Sequence, residues 1–130
     1  MKRIMLDTNV LIRFLNGEEP FAPAIISADE VLIHPTVLAE FLCGIDETVK
    51  RGRETRQKID AFMAMSVVKV VTLTTKTSVF YSKVFKYLKS KGDMIPQNDI
   101  WIAASALENG YELATHDAHF EKIPMLSLVL

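Results

Sequence analysis

Apolar positions along the chain fall into short unbroken runs and longer periodic stretches that alternate from one end to the other. Residues 3–6 (RIML) form the first short run, which predicts a buried strand. Asp7, Thr8 and Asn9 interrupt it; Val10, Leu11, Ile12, Phe14 and Leu15 then resume at helical spacing. Thr8 or Asn9 is the expected cap of that helix, and Asn16-Gly17 its stop. A short helix over FAPAIISA and a second strand over VLIH, 31–34, follow. Thr36 is placed to cap a helix over VLAEFLCGI, closed by Gly44. Residues 53–66 predict a helix with Ile59, Phe62, Met63 and Ser66 toward one face, and VVKVV at 67–71 a strand. Residues 75–91 carry Val79, Phe80, Val84, Tyr87 and Leu88 at helical spacing, with Gly92 as terminator. After Pro96, IWIAASALENG predicts a helix ending at Gly110, while YELAT and MLSLVL predict the last two strands. Apolar strands alternating with helices predict a parallel sheet covered by helices. No repeat or linker divides the pattern, so residues 1–130 are expected to be one domain.

Composition keeps this picture and removes alternatives. A chain of 130 residues, 49% hydrophobic, buries about 65–70% of its unfolded surface and needs no covalent staple. The single cysteine, Cys43, excludes an internal disulfide, suits a reducing cytoplasm, and is expected as a small core residue. No apolar run approaches the ~20 residues that cross a bilayer, and Asp7 interrupts the N-terminal stretch before a signal-peptide core forms. A cytoplasmic protein with no membrane association is expected. With 15 Lys and Arg against 16 Asp and Glu, the chain as a whole is not a basic coat for nucleic acid.

Four acids stand where a parallel sheet keeps its chemistry, beyond the carboxyl ends of the strands. Asp7 follows the first strand and Asp117 the strand ending near Ala114-Thr115. Asp99 heads a stripe continued by Ile102, Ala103, Ala106 and Leu107, and Glu40 borders one marked by Val37 and Phe41. Each acid has a plain structural explanation: a helix cap at Asp7, a favourable helix-start charge at Asp99, a wet edge at Glu40, a turn at Asp117. Together, converging carboxylates without matched Lys or Arg repel one another, and a hard divalent cation relieves that repulsion. Oxygen-only ligands suit Mg²⁺ or Mn²⁺, which makes Asp7 a candidate metal ligand.

The combination of LDTN at 6–9, TVLAEFLCG at 36–44, DIWIAASA at 99–106 and THDAHF at 115–120 resembles the PIN domain. More narrowly, it resembles the VapC-type toxins of prokaryotic toxin–antitoxin pairs. The resemblance implies a three-layer α/β/α sandwich with a central, mostly parallel sheet. It maps Asp7, Glu40, Asp99 and Asp117 onto the acidic quartet that holds Mg²⁺ or Mn²⁺. Thr8 or Asn9, and Thr115, map onto polar neighbours that orient a ligand or a water. Thr36 stands where a serine is common, and His116 and His119 flank Asp117 where the family varies.

The activity implied is metal-dependent endoribonuclease cleavage that leaves 5′-phosphate and 3′-hydroxyl ends, with Asp99 or Asp117 taking a proton from the attacking water. RNA needs a basic rim around an acidic pocket. Arg13, and the segment carrying Lys50, Arg51, Arg53, Arg56 and Lys58, supply candidates, whereas Lys83, Lys86 and Lys89 read as a solvated face. A cognate antitoxin and a second copy of the chain are the further partners implied. His34, Cys43, His116 and His119 match no zinc-site spacing. Two other readings stay open: a phosphohydrolase with an aspartyl nucleophile, for which Asn9 replaces the usual second acid, and a non-catalytic PIN-like module that binds RNA or protein.

Overall fold

The computed structural model describes residues 1–130. Strands β1 (Arg3–Leu6), β2 (Glu30–Ile33), β3 (Val68–Val70) and β4 (Glu112–Ala114) form one sheet in the order β3–β2–β1–β4, with every pair parallel. Met5 lies opposite Leu32 on one side and Leu113 on the other. Ile4, Met5 and Leu6 are all fully buried, as an unbroken apolar run requires when both faces of a strand are covered. Six helices flank the sheet: α1 (Thr8–Leu15), α2 (Ala22–Ile26), α3 (Pro35–Cys43), α4 (Lys50–Met63), α5 (Thr75–Lys91) and α6 (Gln97–Asn109). After β1 the chain steps to β2 and then β3, whereas β4 returns to the opposite side of β1. That reversal opens a crevice beyond the carboxyl ends of β1 and β4.

Several local expectations are corrected. Asp7, not Thr8 or Asn9, caps α1, and His34, not Thr36, caps α3, with Pro35 in its first turn. In both places the residue leaving the strand is extended and its side chain reaches a backbone N–H ahead, so capping falls one or two positions earlier. Helix α4 begins at Lys50 and ends at Met63, which leaves Ser66 exposed beyond it. Its early turns pack on the preceding loop: a Cβ at Gly52 would lie 1.6 Å from the Asp46 carbonyl oxygen, so only glycine fits there. On α5 the buried stripe is Thr77, Val84 and Leu88, while Val79 is exposed. Thr77 is held by Glu108 of α6 at 2.6 Å, a polar tie that hydrophobic periodicity does not signal. Cys43 is exposed rather than part of the core. MLSLVL contributes a single parallel bridge, Leu128 to Leu113, instead of a strand, and a 3₁₀ turn over Ala118–Lys122 fills the segment before it. No helix is long and apolar enough to cross a membrane.

Candidate functional site

Asp7 leaves β1 with its backbone N–H bonded to the Ala114 carbonyl of β4 at 3.0 Å, which places the residue at the reversal point of the sheet. Its side chain is held at both oxygens. Oδ1 accepts from the Thr8 N–H at 2.9 Å and Oδ2 from the Thr115 hydroxyl at 2.8 Å. The same Thr115 hydroxyl accepts from the Asp117 N–H at 3.0 Å, so one side chain orients Asp7 and shapes the loop that presents Asp117. Asp117 in turn caps the 3₁₀ turn through the His119 N–H at 2.9 Å. Glu40, on the exposed face of α3, accepts a hydrogen bond from the Thr8 hydroxyl. Asp99 stands in the first turn of α6.

These elements bring Asp7, Glu40, Asp99 and Asp117 to the wall of one open cleft of about 530 Å³, which Thr8, Asn9, Asn98 and His119 also line. No Lys or Arg lines it. Burial is the main reason the Asp7 carboxyl is raised above the ordinary carboxylate range. The Thr115 and Thr8 hydrogen bonds oppose that shift, and the negative charges of Asp117 and Glu40 add to it. Asp99 is raised by burial too; its hydrogen bond to His119 opposes the shift and the charges of Asp7 and Asp117 reinforce it. Carboxylate oxygens gathered on one cleft wall are the donor chemistry that a hard divalent cation takes.

His119 is the residue that sequence reasoning left out of the site. Its Nδ1 lies 3.2 Å from Asp99 Oδ2 and 3.2 Å from Asp117 Oδ1, and the three side chains offer atoms within 4.8 Å of one another. The signal was its spacing, two residues after Asp117 in a tight turn. Arg51 lines a second hollow, which meets the acidic cleft at Ile12 and Glu40 and also carries Lys58. Arg53 is exposed on α4 and lines neither hollow. Arg13 is half exposed, 3.9 Å from Glu19, and donates to the Glu18 carbonyl. Tyr81 packs on Trp101 at 4.4 Å between ring centres, a half-buried contact between α5 and α6.

A family model described as the PIN domain matches residues 4–126. The chain belongs to the PIN domain family. Ribonuclease VapC2 of Rickettsia felis is 28% identical over 129 residues, covering 95% of this chain and 94% of that protein. Ribonuclease VapC1 of Methanocaldococcus jannaschii is also 28% identical, over 97% of this chain and 85% of that protein. Among solved structures, this PIN fold matches that of VapBC2 from Rickettsia felis bound to a DNA fragment from their promoter. The TM-score is 0.80, at 26% identity, covering 98% of this chain and 97% of that one. VapBC-1 from nontypeable Haemophilus influenzae gives a TM-score of 0.81 at 25% identity, covering 98% and 96%.

Proposed function

We propose that this chain is a divalent-metal-dependent endoribonuclease and the toxin of a toxin–antitoxin pair. The observation that carries the reading is the cleft lined by four carboxylates and by no Lys or Arg. Asp7, Glu40, Asp99 and Asp117 hold the cation, Mg²⁺ or Mn²⁺. When bound, such an ion neutralises the scissile phosphate and makes a bound water more acidic.

The residues of the chain supply the rest. Thr8 and Thr115 fix the Asp7 carboxylate through one hydrogen bond to each oxygen, so its orientation is set before substrate arrives. Asn9, beside them on the cleft wall, is a polar group for phosphate or water. Asp99 or Asp117 accepts the proton of the attacking water at a carboxylate oxygen. The new P–O bond forms as the bond to the 3′ oxygen breaks, and that oxygen takes up a proton from solvent, leaving a 5′-phosphate and a 3′-hydroxyl. Arg51 in the adjoining hollow, with the exposed Arg53 and the half-exposed Arg13, provides cations for the RNA backbone outside the acidic cleft.

The partners in this reading are RNA, a cognate antitoxin and a second copy of the chain, in the cytoplasm. The likeness to the VapBC structures supports the antitoxin, and exposed Val79 and Phe85 on α5 supply apolar surface for association. The test is cleavage of a structured RNA by purified protein in Mg²⁺, in Mn²⁺ and in EDTA. Cleavage that EDTA stops and either metal restores is expected. Cleavage indifferent to EDTA would overturn the metal role, and RNA binding without cleavage in any metal would favour the non-catalytic module.

A further inference from the structure

Outside the acidic cleft the fold buries one more carboxylate, Glu19, whose side chain is 0% exposed. Burying a carboxylate costs several kcal/mol unless charged or hydrogen-bonded partners offset it, so its partners indicate what it is for. Three partners converge. The Phe21 N–H donates to Oε2 at 2.8 Å, Arg13 stands 3.9 Å from Oε1, and His116 Nε2 lies 2.7 Å and 3.0 Å from the two oxygens. A carboxylate only accepts, so His116 Nε2–H is the donor. The Phe21 ring stacks flat on the His116 imidazole, with 4.8 Å between centres and 5° between planes. His116 is therefore gripped at its edge and its face by the loop between α1 and α2.

His116 sits between Thr115, which holds Asp7, and Asp117, which enters the cleft. Fixing its side chain fixes the backbone that aims both neighbours. We propose that Glu19 and His116 form a positioning pair that sets the geometry of the acidic centre through Thr115 and Asp117. The inference rests on the metal-site reading above. It adds residues that touch neither substrate nor cation, and a loop residue 97 positions from His116 in sequence, to what determines cation affinity.

Mn²⁺ binding, measured by titration calorimetry on the full chain, separates positioning from simple stabilisation. Glu19→Ala and His116→Ala are each expected to weaken Mn²⁺ about tenfold, within the range for partners that orient metal ligands. Because the two act as a unit, the double variant is expected to be no weaker than either single one. Glu19→Gln, which keeps an acceptor for Phe21 and a hydrogen-bonding partner for His116, is expected to stay within about threefold of wild type. It also keeps the question answerable if Glu19→Ala does not fold. Thr77→Val removes a buried polar tie between α5 and α6 and serves as the control for lost stability: a lowered melting temperature with Mn²⁺ affinity unchanged. Lowered melting with unchanged Mn²⁺ affinity in Glu19→Ala, or fully additive losses in the double variant, would overturn the pair. Wild-type protein that binds no Mn²⁺ would instead remove the metal site itself.

Discussion

Asp7 and His34 occupy equivalent places in the fold, yet only one of them belongs to the acidic cleft. Each follows a parallel strand, β1 or β2, each is buried, and each caps the next helix. Asp7 accepts from Thr8 N at 2.9 Å and His34 Nδ1 from Thr36 N at 3.1 Å. They differ in what the sheet brings to them. Asp7 stands at the reversal point, where the loop after β4 adds Thr115 and Asp117, and burial with neighbouring negative charge raises its pKa. His34 stands one strand away; burial alone lowers its pKa to about 4, and its Nε2 has no hydrogen-bond partner. A buried polar cap is only a cap until topology delivers a second loop to it.

The sharpest way to break the comparison is Asp7→Asn. Asparagine caps a helix as well as aspartate does, so α1 keeps its start and the metal-free protein is expected to melt no lower than wild type. Removing an outer partner of a metal ligand costs about 10–100-fold, and removing the ligand itself costs more, so RNA cleavage is expected to fall by more than about 100-fold. Nuclease assays and melts in EDTA read both quantities. Intact cleavage would return Asp7 to the same purely structural role as His34.

Stability against pH separates the two residues by sign. The folded pKa of His34, about 4, lies below its ordinary 6.5, so its contribution is full above about pH 6.5 and is lost as pH falls toward 4. At 1.36 kcal/mol per pKa unit, that loss is about 3 kcal/mol. Asp7 and Asp99 are raised, so in metal-free protein their contribution is full below the ordinary carboxylate pKa and is lost as pH rises through their folded values. His34→Asn keeps an acceptor near the position of Nδ1 but cannot titrate. Urea unfolding in EDTA at pH 7, 5.5 and 4.5 is expected to show a smaller acid loss in the variant than in wild type. Equal losses would mean that His34 is not the group that destabilises the acid state.

Much of this contrast was legible in the sequence. The first four strand runs, the helix over 75–91 and the αL glycines 92 and 110 follow from local periodicity and backbone chemistry, and the structure reproduces them, whereas MLSLVL yields only a bridge. Asp7 and Asp117 were legible because strand ends are local features that a parallel sheet places at one edge, and Asp99 and Glu40 because each borders an apolar helical stripe. Less visible were contacts between segments far apart in sequence. Glu19 against His116 and Thr77 against Glu108 leave no periodic trace, and neither does the short-range seat of Gly52 on Asp46. Caps also slipped, because residues 7 and 34 belong at once to a strand exit and a helix entry. The exposure of Cys43 was missed for a simpler reason: a small residue near the end of a helix fits either side of the core boundary.

The smallest expected effect tests whether Asp99 behaves like Asp7 or like an ordinary helix-start charge. At an effective dielectric near 20, two carboxylates 4 Å apart repel by about 4 kcal/mol before screening and protonation reduce it. His119, 3.2 Å from Asp99, offsets part of what remains. Asp99→Asn keeps the shape and removes the charge, so a net gain of ~1 kcal/mol is expected in metal-free protein, raising the melting temperature by about 2–8 °C. A favourable charge in the first turn of α6 predicts the opposite, a loss of about 0.3–1 kcal/mol. Mg²⁺ adds a second, independent comparison. A ligand at 100 times its Kd stabilises the folded state by about 2.7 kcal/mol, so wild type is expected to gain from Mg²⁺ and Asp99→Asn to gain much less. Melts of both proteins in EDTA and in Mg²⁺ give all four numbers. A lower metal-free midpoint for Asp99→Asn, together with equal gains from Mg²⁺, would make Asp99 a helix-start charge and leave Asp7, Glu40 and Asp117 to hold the ion.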